Sequence, residues 1–216
     1  MTGILFDLDG TLLDTLDDLT DGVNHVLSQF GYSQRSREEV RRFVGNGAAV
    51  LMQRAVPQGM DWQKPLESFQ SYYRDHCQIK TAPYPGIPEA LKALAVCYPL
   101  AIISNKPDKA VKKLCAQYFP GIFALGESEI CPRKPSPDMV RLGMKQIGAD
   151  RCIYVGDSEV DVRTAQNAGV SCLSVLWGFR NEEEIRAAGG THFCADSRHL
   201  AEVLENMMKE MEINGQ

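Results

Sequence analysis

Ile4-Leu5-Phe6-Asp7-Leu8-Asp9-Gly10-Thr11 is the stretch on which the fold turns. Residues 4–8 form a short apolar run without polar alternation, which suits a strand buried on both faces of a parallel sheet. Two carboxylates, Asp7 and Asp9, sit where that strand ends, and open α/β sheets bind ligands outside their strands' carboxyl ends. Gly10 lets the backbone turn sharply and bring N–H groups toward an anion, with Thr11 grouped beside it. Carboxylates this close raise one another's pKa. Magnesium relieves that conflict, because it is commonly bound through one or two carboxylates plus phosphate oxygens. One carboxylate can then attack phosphorus while the other moves protons. The plainer alternative is an Asp pair that only caps a strand-to-helix turn.

Outward from this stretch, similar runs recur at residues 100–104 (LAIIS), 122–125, 152–155 (CIYV), 172–176 (CLSVL) and 191–194 (THFC). Helical patterns lie between them. Residues 87–97 follow the breaker Pro83-Tyr84-Pro85-Gly86. Residues 108–118 open on Asp108, and residues 136–147 carry Pro137 just inside the start and Gly148 just past the end. Residues 160–168 close on Gly169. Strand and helix in alternation predict an α/β fold with a doubly wound parallel sheet.

Residues 16–80 break the alternation. They hold no good strand but four helical patterns, at 16–30, 37–43, 48–56 and 65–77. Two arrangements remain open: a helical cap over residues 15–82, hinged near 13–16 and 81–86 on a core of 1–14 and 83–216, or helices packed permanently on the sheet. A hinged cap can close over the first strand's carboxyl end and exclude water.

Three later features converge on the same sheet edge. Ser104 and Asn105 supply a hydroxyl and an amide suited to phosphate oxygens, or else merely shape a turn with Lys106-Pro107. Lys134 can place an ammonium against a phosphate and a nucleophile, and at ~4 Å with an effective dielectric near 20 such a pair is worth about 4 kcal/mol. Gly156-Asp157-Ser158 follows CIYV, which makes Asp157 a metal-ligand candidate. Asp161 suits either the orientation of Lys134 or of a metal-bound water, or the acidic first turn of a helix.

Bulk properties set the outer limits. The 216 residues fit one domain, or a core with a smaller appendage. A formal charge of −5 argues against nucleic acid as a partner, while local cations can still attract a small phosphorylated metabolite. Seven scattered cysteines without C-x-x-C fit thiols in a reducing compartment. With no signal peptide or membrane-length apolar run, the expected location is the cytoplasm. The polar tail after about Met208 is the one stretch whose composition suggests disorder. Oligomeric state is not legible.

Taken in order, D-L-D-G-T, a strand ending in Ser, K-P and G-D-x-x-x-D resemble the four-part signature of the haloacid dehalogenase superfamily, within it the phosphoglycolate phosphatase-like branch. The resemblance spans essentially the whole chain. It implies a five- or six-stranded parallel core with order 3-2-1-4-5 and a helical cap. It further implies Asp7 as nucleophile, Asp9 as general acid/base with its carbonyl on Mg2+, Ser104 and Lys134 on phosphate, and Asp157 completing the metal site.

Asp9 argues against a dehalogenase, which is expected to lack the second Asp. Thr11 after the Gly argues against a phosphosugar mutase, though the mutase and a pyrophosphatase share the core. A silent binding protein on this fold usually loses an Asp or the Lys, and none is lost. Residues 41–48 (RRFVGNGA) are similar to the cap loop facing the site in phosphoglycolate phosphatases. Arg42 could there meet a substrate carboxylate, with 2-phosphoglycolate as the expected substrate. Alternatively, Arg41 and Arg42 lie on an exposed helix face.

Overall fold

The structure, a computed structural model, describes residues 1–129 and 131–213. From the N-terminus, β1 (Thr2–Phe6) leads to a two-residue β2 (Leu13–Asp14) and then four helices: α1 (Leu16–Gln29), α2 (Arg37–Phe43), α3 (Gly47–Ala55) and α4 (Gln63–His76). The chain returns through β3 (Ala82–Pro83), antiparallel to β2. Alternation then begins: α5 (Ile87–Cys97), β4 (Leu100–Pro107), α6 (Asp108–Tyr118), β5 (Phe123–Glu127), α7 (Asp138–Gln146) and β6 (Arg151–Gly156). It continues through α8 (Glu159–Ala168), β7 (Ser171–Val175), α9 (Glu182–Ala187) and β8 (His192–Cys194), and ends in α10 (Leu200–Ile213).

Six strands make one sheet in the order β5-β4-β1-β6-β7-β8, every neighbouring pair parallel. Counted within the sheet, that is 3-2-1-4-5-6, which extends the expected order by an edge strand. Period-two alternation splits β1 between two apolar clusters. Ile4 and Phe6 face one that includes α5, α6 and α10, whereas Leu5 faces another built with α7 and α8. Helices therefore cover both faces, and the fold is a doubly wound α/β sheet.

Local chemistry explains the helix ends. Ser36 and Glu39 form a capping box at the start of α2. Gly169 closes α8 in the left-handed conformation. Pro137 stands one position earlier than expected, as the N-cap of α7.

Two expectations need correction. The tail beyond Met208 is helical as far as Ile213, because α10 buries Leu200, Leu204, Met207 and Met208 at helical spacing and its last turn continues that helix; residues 214–216 lie outside the described residues. Strand β4 runs past Ser104 to Pro107, so Lys106-Pro107 is no turn. Its pairing with β5 resumes at Pro107 opposite Glu127 after an irregularity, which lets the strand end bend.

The two passages between the sheet and α1–α4 lie side by side. Asp18 of α1, buried, accepts from the backbone N–H groups of Lys80 at 3.0 Å and Thr81 at 2.9 Å. Apolar residues of α1–α4 join the cluster on the Ile4 and Phe6 face of the sheet.

Candidate active site

The carboxyl ends of β1, β4 and β6 open into a cavity of about 500 Å³, within the range usual for small-molecule sites. Its other walls come from α1, α3, α4 and α6. Asp7, Asp9, Ser104, Asn105, Lys134 and Asp157 all line it.

Lys134 is the hub of the deep end and is only 2 % exposed. Its ammonium lies 2.8 Å from Asp7 Oδ1 and 2.8 Å from Asp161 Oδ1, and it donates to the Tyr154 hydroxyl at 2.9 Å. Three donors meet three acceptors, which is the full capacity of the group. The Tyr154 hydroxyl in turn donates to Asp161 Oδ1, and Ser158 donates to Asp161 Oδ2 through its N–H and hydroxyl. Asp161 thus pairs with Lys134 and also closes a capping box at the start of α8.

Asp9 has a different partner. Its Oδ1 lies 2.7 Å from Lys106 Nζ, and Ser104 donates to its Oδ2 at 3.5 Å. Lys106 also donates to the Tyr73 hydroxyl at 2.8 Å and stands over that ring, so one buried ammonium joins Asp9 to helix α4.

Electrostatics separate these carboxyls. Burial pushes Asp7 well above the usual carboxylate range, against the pull of Lys134. Burial, and then the nearby Asp161 charge, pushes Asp157 up to about 7. Burial opposes charge on Asp161 as well, yet Lys134 and the hydrogen bonds from Ser158 and Tyr154 outweigh it and hold its pKa low. Burial disfavours the charge on Lys134, but Asp161 and Asp7 win and raise its pKa. Lys106 is raised in the same way, by Asp9 and Tyr73.

The donor set fits a hard divalent cation. Asp7, Asp157 and Asp161 each offer a carboxylate oxygen, all within 4.8 Å of one another. Asp161 accepts four hydrogen bonds, from Lys134, Tyr154 and twice from Ser158, against two on Asp157, from Thr11 and Phe179, which leaves Asp7 and Asp157 as the better ligands. Four carboxylates at this end, Asp7, Asp9, Asp157 and Asp161, face two ammonium groups, Lys106 and Lys134. A divalent ion would balance that excess and lower the raised pKa values. The Asp9 carboxylate is not in the cluster, because Lys106 holds it.

Other expected site residues have different positions from those the sequence suggested. The Gly10 N–H bonds the Leu13 carbonyl inside its own turn and is not offered to an anion. Gly10 instead makes room: with φ of +81°, a Cβ there would fall 2.3 Å from Asp157 Oδ2. Gly178 does the same from the other side, where a Cβ would fall 2.3 Å from that of Asp157. Thr11 is fully buried, and its hydroxyl donates to Asp157 Oδ1 at 3.3 Å. Asn105 spends its amide on the protein, donating to the Gly45 and Lys134 carbonyls and accepting from the Lys134 N–H at 2.7 Å. It fixes the Lys134 loop rather than presenting a free amide. Arg42 lies outside the cavity; one hundred degrees around α2 from Arg41, it turns to solvent and pairs with Glu38 one turn back.

Lys106, Tyr73, Tyr154, Phe179 and Arg180 were not found from sequence. Arg180 is buried and pairs with Glu159 at 3.0 Å. It also donates to the carbonyls of Arg41, Arg42 and Val44 at the end of α2. Phe179, one residue earlier, donates its N–H to Asp157 Oδ2 at 2.7 Å. Only Lys106 had a usable signal, a Lys two residues past a motif Ser; Tyr154 lies within the apolar run of β6, Tyr73 on a face of α4, and Phe179 and Arg180 in a loop without pattern.

The family model described as haloacid dehalogenase-like hydrolase matches residues 4–175. The chain belongs to the haloacid dehalogenase-like hydrolases. Within that family it is 35 % identical over 219 aligned residues to a phosphoglycolate phosphatase of Vibrio parahaemolyticus, covering 94 % of both chains. A phosphoglycolate phosphatase of Pseudomonas fluorescens is likewise 35 % identical, over 91 % of this chain and 77 % of its own. A crystal structure from Lactobacillus delbrueckii subsp. bulgaricus, described as an inferred phosphoglycolate phosphatase, superposes with a TM-score of 0.89 at 37 % identity, covering 94 % of this chain and 97 % of that one. This haloacid dehalogenase-like hydrolase is an enzyme of the phosphoric monoester hydrolase class. Among the described residues no helix is long and apolar enough to cross a membrane.

Proposed function

We propose that the enzyme hydrolyses a small phosphate monoester with Mg2+ as cofactor, through a phosphoryl group carried on Asp7, and that 2-phosphoglycolate is the first substrate to test. One observation carries the reading: Asp7 and Asp9 line one cavity but answer to different cations, Lys134 for Asp7 and Lys106 for Asp9. Two carboxyls in separate electrostatic settings can divide two roles.

Asp7 attacks phosphorus, and the P–O bond to the leaving alcohol breaks. Asp9 protonates that oxygen, then removes a proton from the water that hydrolyses the acyl phosphate, a role worth ~10²–10⁴-fold. Lys134 faces the nucleophile and balances phosphate charge, with Asp161 and Tyr154 fixing its direction. The Ser104 hydroxyl is placed for a phosphate oxygen. Mg2+, held by Asp7 and Asp157, would supply positive charge to the phosphoryl group.

Helices α1–α4 act as a lid over the sheet edge, with residues 15–82 as the moving unit and β2 and β3 as its base. The cavity between the helices and the sheet edge supports this division. All seven cysteines are free thiols, which supports the cytoplasm as the location. An assay of 2-phosphoglycolate and other phosphate esters with Mg2+, coupled to acid trapping of the phosphorylated protein, tests the scheme. Turnover without a trapped aspartyl phosphate in a slow-substrate or quenched reaction would count against covalent catalysis.

A further inference from the structure

The cavity is larger and less polar than a two-carbon phosphate ester requires. Its deep end is built for a phosphoryl group and a cation, around Asp7, Ser104, Lys134 and Asp157. From there it continues between the helices and the sheet edge, where Leu19, Val44, Ala48, Leu51, Phe69 and Ala110 supply apolar wall. All six are at least nine-tenths buried, between 2 % and 8 % exposed. They come from three of the four lid helices, the α2–α3 connection and α6, so the apolar wall is a property of the assembled fold.

The buried cations at this cavity are already committed. Lys106 is held by Asp9 and Tyr73, Lys134 by Asp7, Asp161 and Tyr154, and Arg180 by Glu159 and three carbonyls. Arg42, the expected partner of a substrate carboxylate, is in solvent beside Glu38. Arg74 and Lys109 also line the cavity, but both are exposed and Arg74 pairs with Asp75. Among the described residues a second anionic group on the substrate therefore meets no uncommitted buried cation, whereas a hydrocarbon body meets a wall that desolvates it. Cavities of this size bury most of a ligand's surface.

We infer that the leaving-group half of this cavity is an apolar subsite and that the enzyme accepts phosphate monoesters of alcohols with an apolar body longer than two carbons. The inference rests on the phosphatase reading above and specifies what that site takes. Each methylene placed against Leu51, Phe69 and their neighbours leaves water, which is worth about fourfold in kcat/KM when burial is complete.

The test is a homologous series, ethyl, butyl and hexyl phosphate, hydrolysed by the full chain with Mg2+. These unbranched leaving alcohols are of nearly equal acidity, so the chemical step is alike and burial is the variable. The expected result is a rise in kcat/KM of at least about tenfold from ethyl to hexyl, since the cavity wall offers partial to full burial of four added methylenes. A second arm is Leu51→Trp, which fills the subsite and should collapse the hexyl-to-ethyl ratio toward one. A flat or falling series in the native enzyme overturns the inference and leaves the phosphatase reading intact. An unchanged ratio in a folded Leu51→Trp also overturns it. No hydrolysis of any of these esters or of 2-phosphoglycolate overturns both. If the variant does not fold, the native series alone decides.

Discussion

Lys106 Nζ lies 2.7 Å from Asp9 Oδ1, and the two side chains are 4 % and 13 % exposed. The same ammonium donates to the Tyr73 hydroxyl of α4. A carboxylate at the end of β1 is therefore coupled, through a strand residue ninety-seven positions later, to helix α4.

Removing one member of such a buried pair leaves the other charge without a partner. Lys106→Met should destabilise the protein by about 3 kcal/mol or more and depress kcat. Asp9→Asn in the same chain should return much of the stability, because the stranded charge is then gone. Urea melts of the two single variants and the double variant check this; additive losses would show that the pair is not coupled.

Asp7→Asn should reduce turnover to background while the fold survives. Because burial holds the Asp7 pKa high, replacing its carboxylate with a neutral amide should leave the midpoint of thermal unfolding of the metal-free protein equal or higher. Steady-state assay and calorimetry together decide the matter, and appreciable residual activity is incompatible with attack by this residue.

Stability of the metal-free protein should fall as pH rises from about 5 to 8. Asp157 keeps its proton up to about 7 in the folded state, and Asp7 is raised as well, whereas unfolded carboxyls titrate near about 3.9. Between those values the folded chain binds more protons, so its advantage is complete below the unfolded pKa and is lost through the folded one. Mg2+ requires the ionised carboxylates and should raise the melting temperature more at pH 8 than at pH 5. Chelation should abolish activity, and calcium should restore it poorly because its looser coordination spoils the alignment. Melting curves across pH with and without Mg2+ test the sign; a rise for the metal-free protein over this interval would refute it.

Arg180→Met should loosen the connection between α2 and α3. The guanidinium now donates to the carbonyls of Arg41, Arg42 and Val44 while Glu159 anchors it. Amide exchange across residues 41–48 should quicken, and KM should rise several-fold with a smaller loss in kcat. Arg180→Lys should restore only part, since a single ammonium cannot reproduce the planar fork. Hydrogen exchange and steady-state kinetics provide the readouts.

Much of the architecture could be read directly from residue order. Apolar runs such as residues 4–8 and 152–155 lie within a residue or two of β1 and β6, because a strand buried on both faces has no polar position to disguise it. Helix ends were legible where a cap was local, as at Gly169. By contrast α9 and α10 were not predicted, and β4 was ended three residues early because Lys106-Pro107 resembles a turn until pairing with β5 is seen. Similarly Asp7, Asp9, Ser104, Lys134 and Asp157 stand out in the sequence because each ends or follows an apolar run, and one cavity gathers them all.

Sequence by itself determined most of the strands and helices, which edge of the sheet collects the polar residues, and which carboxyl and ammonium groups are available there. Only the tertiary structure decided how those charges pair: Lys134 with Asp7 and Asp161, Lys106 with Asp9 and Tyr73, Arg180 with the carbonyls of α2, and Arg42 with no part of the cavity. The reason is one of range. Strand and helix patterns are set by neighbours a few positions away, whereas a pairing of side chains depends on the distance between elements packed together from remote parts of the chain, and no local spacing encodes that distance.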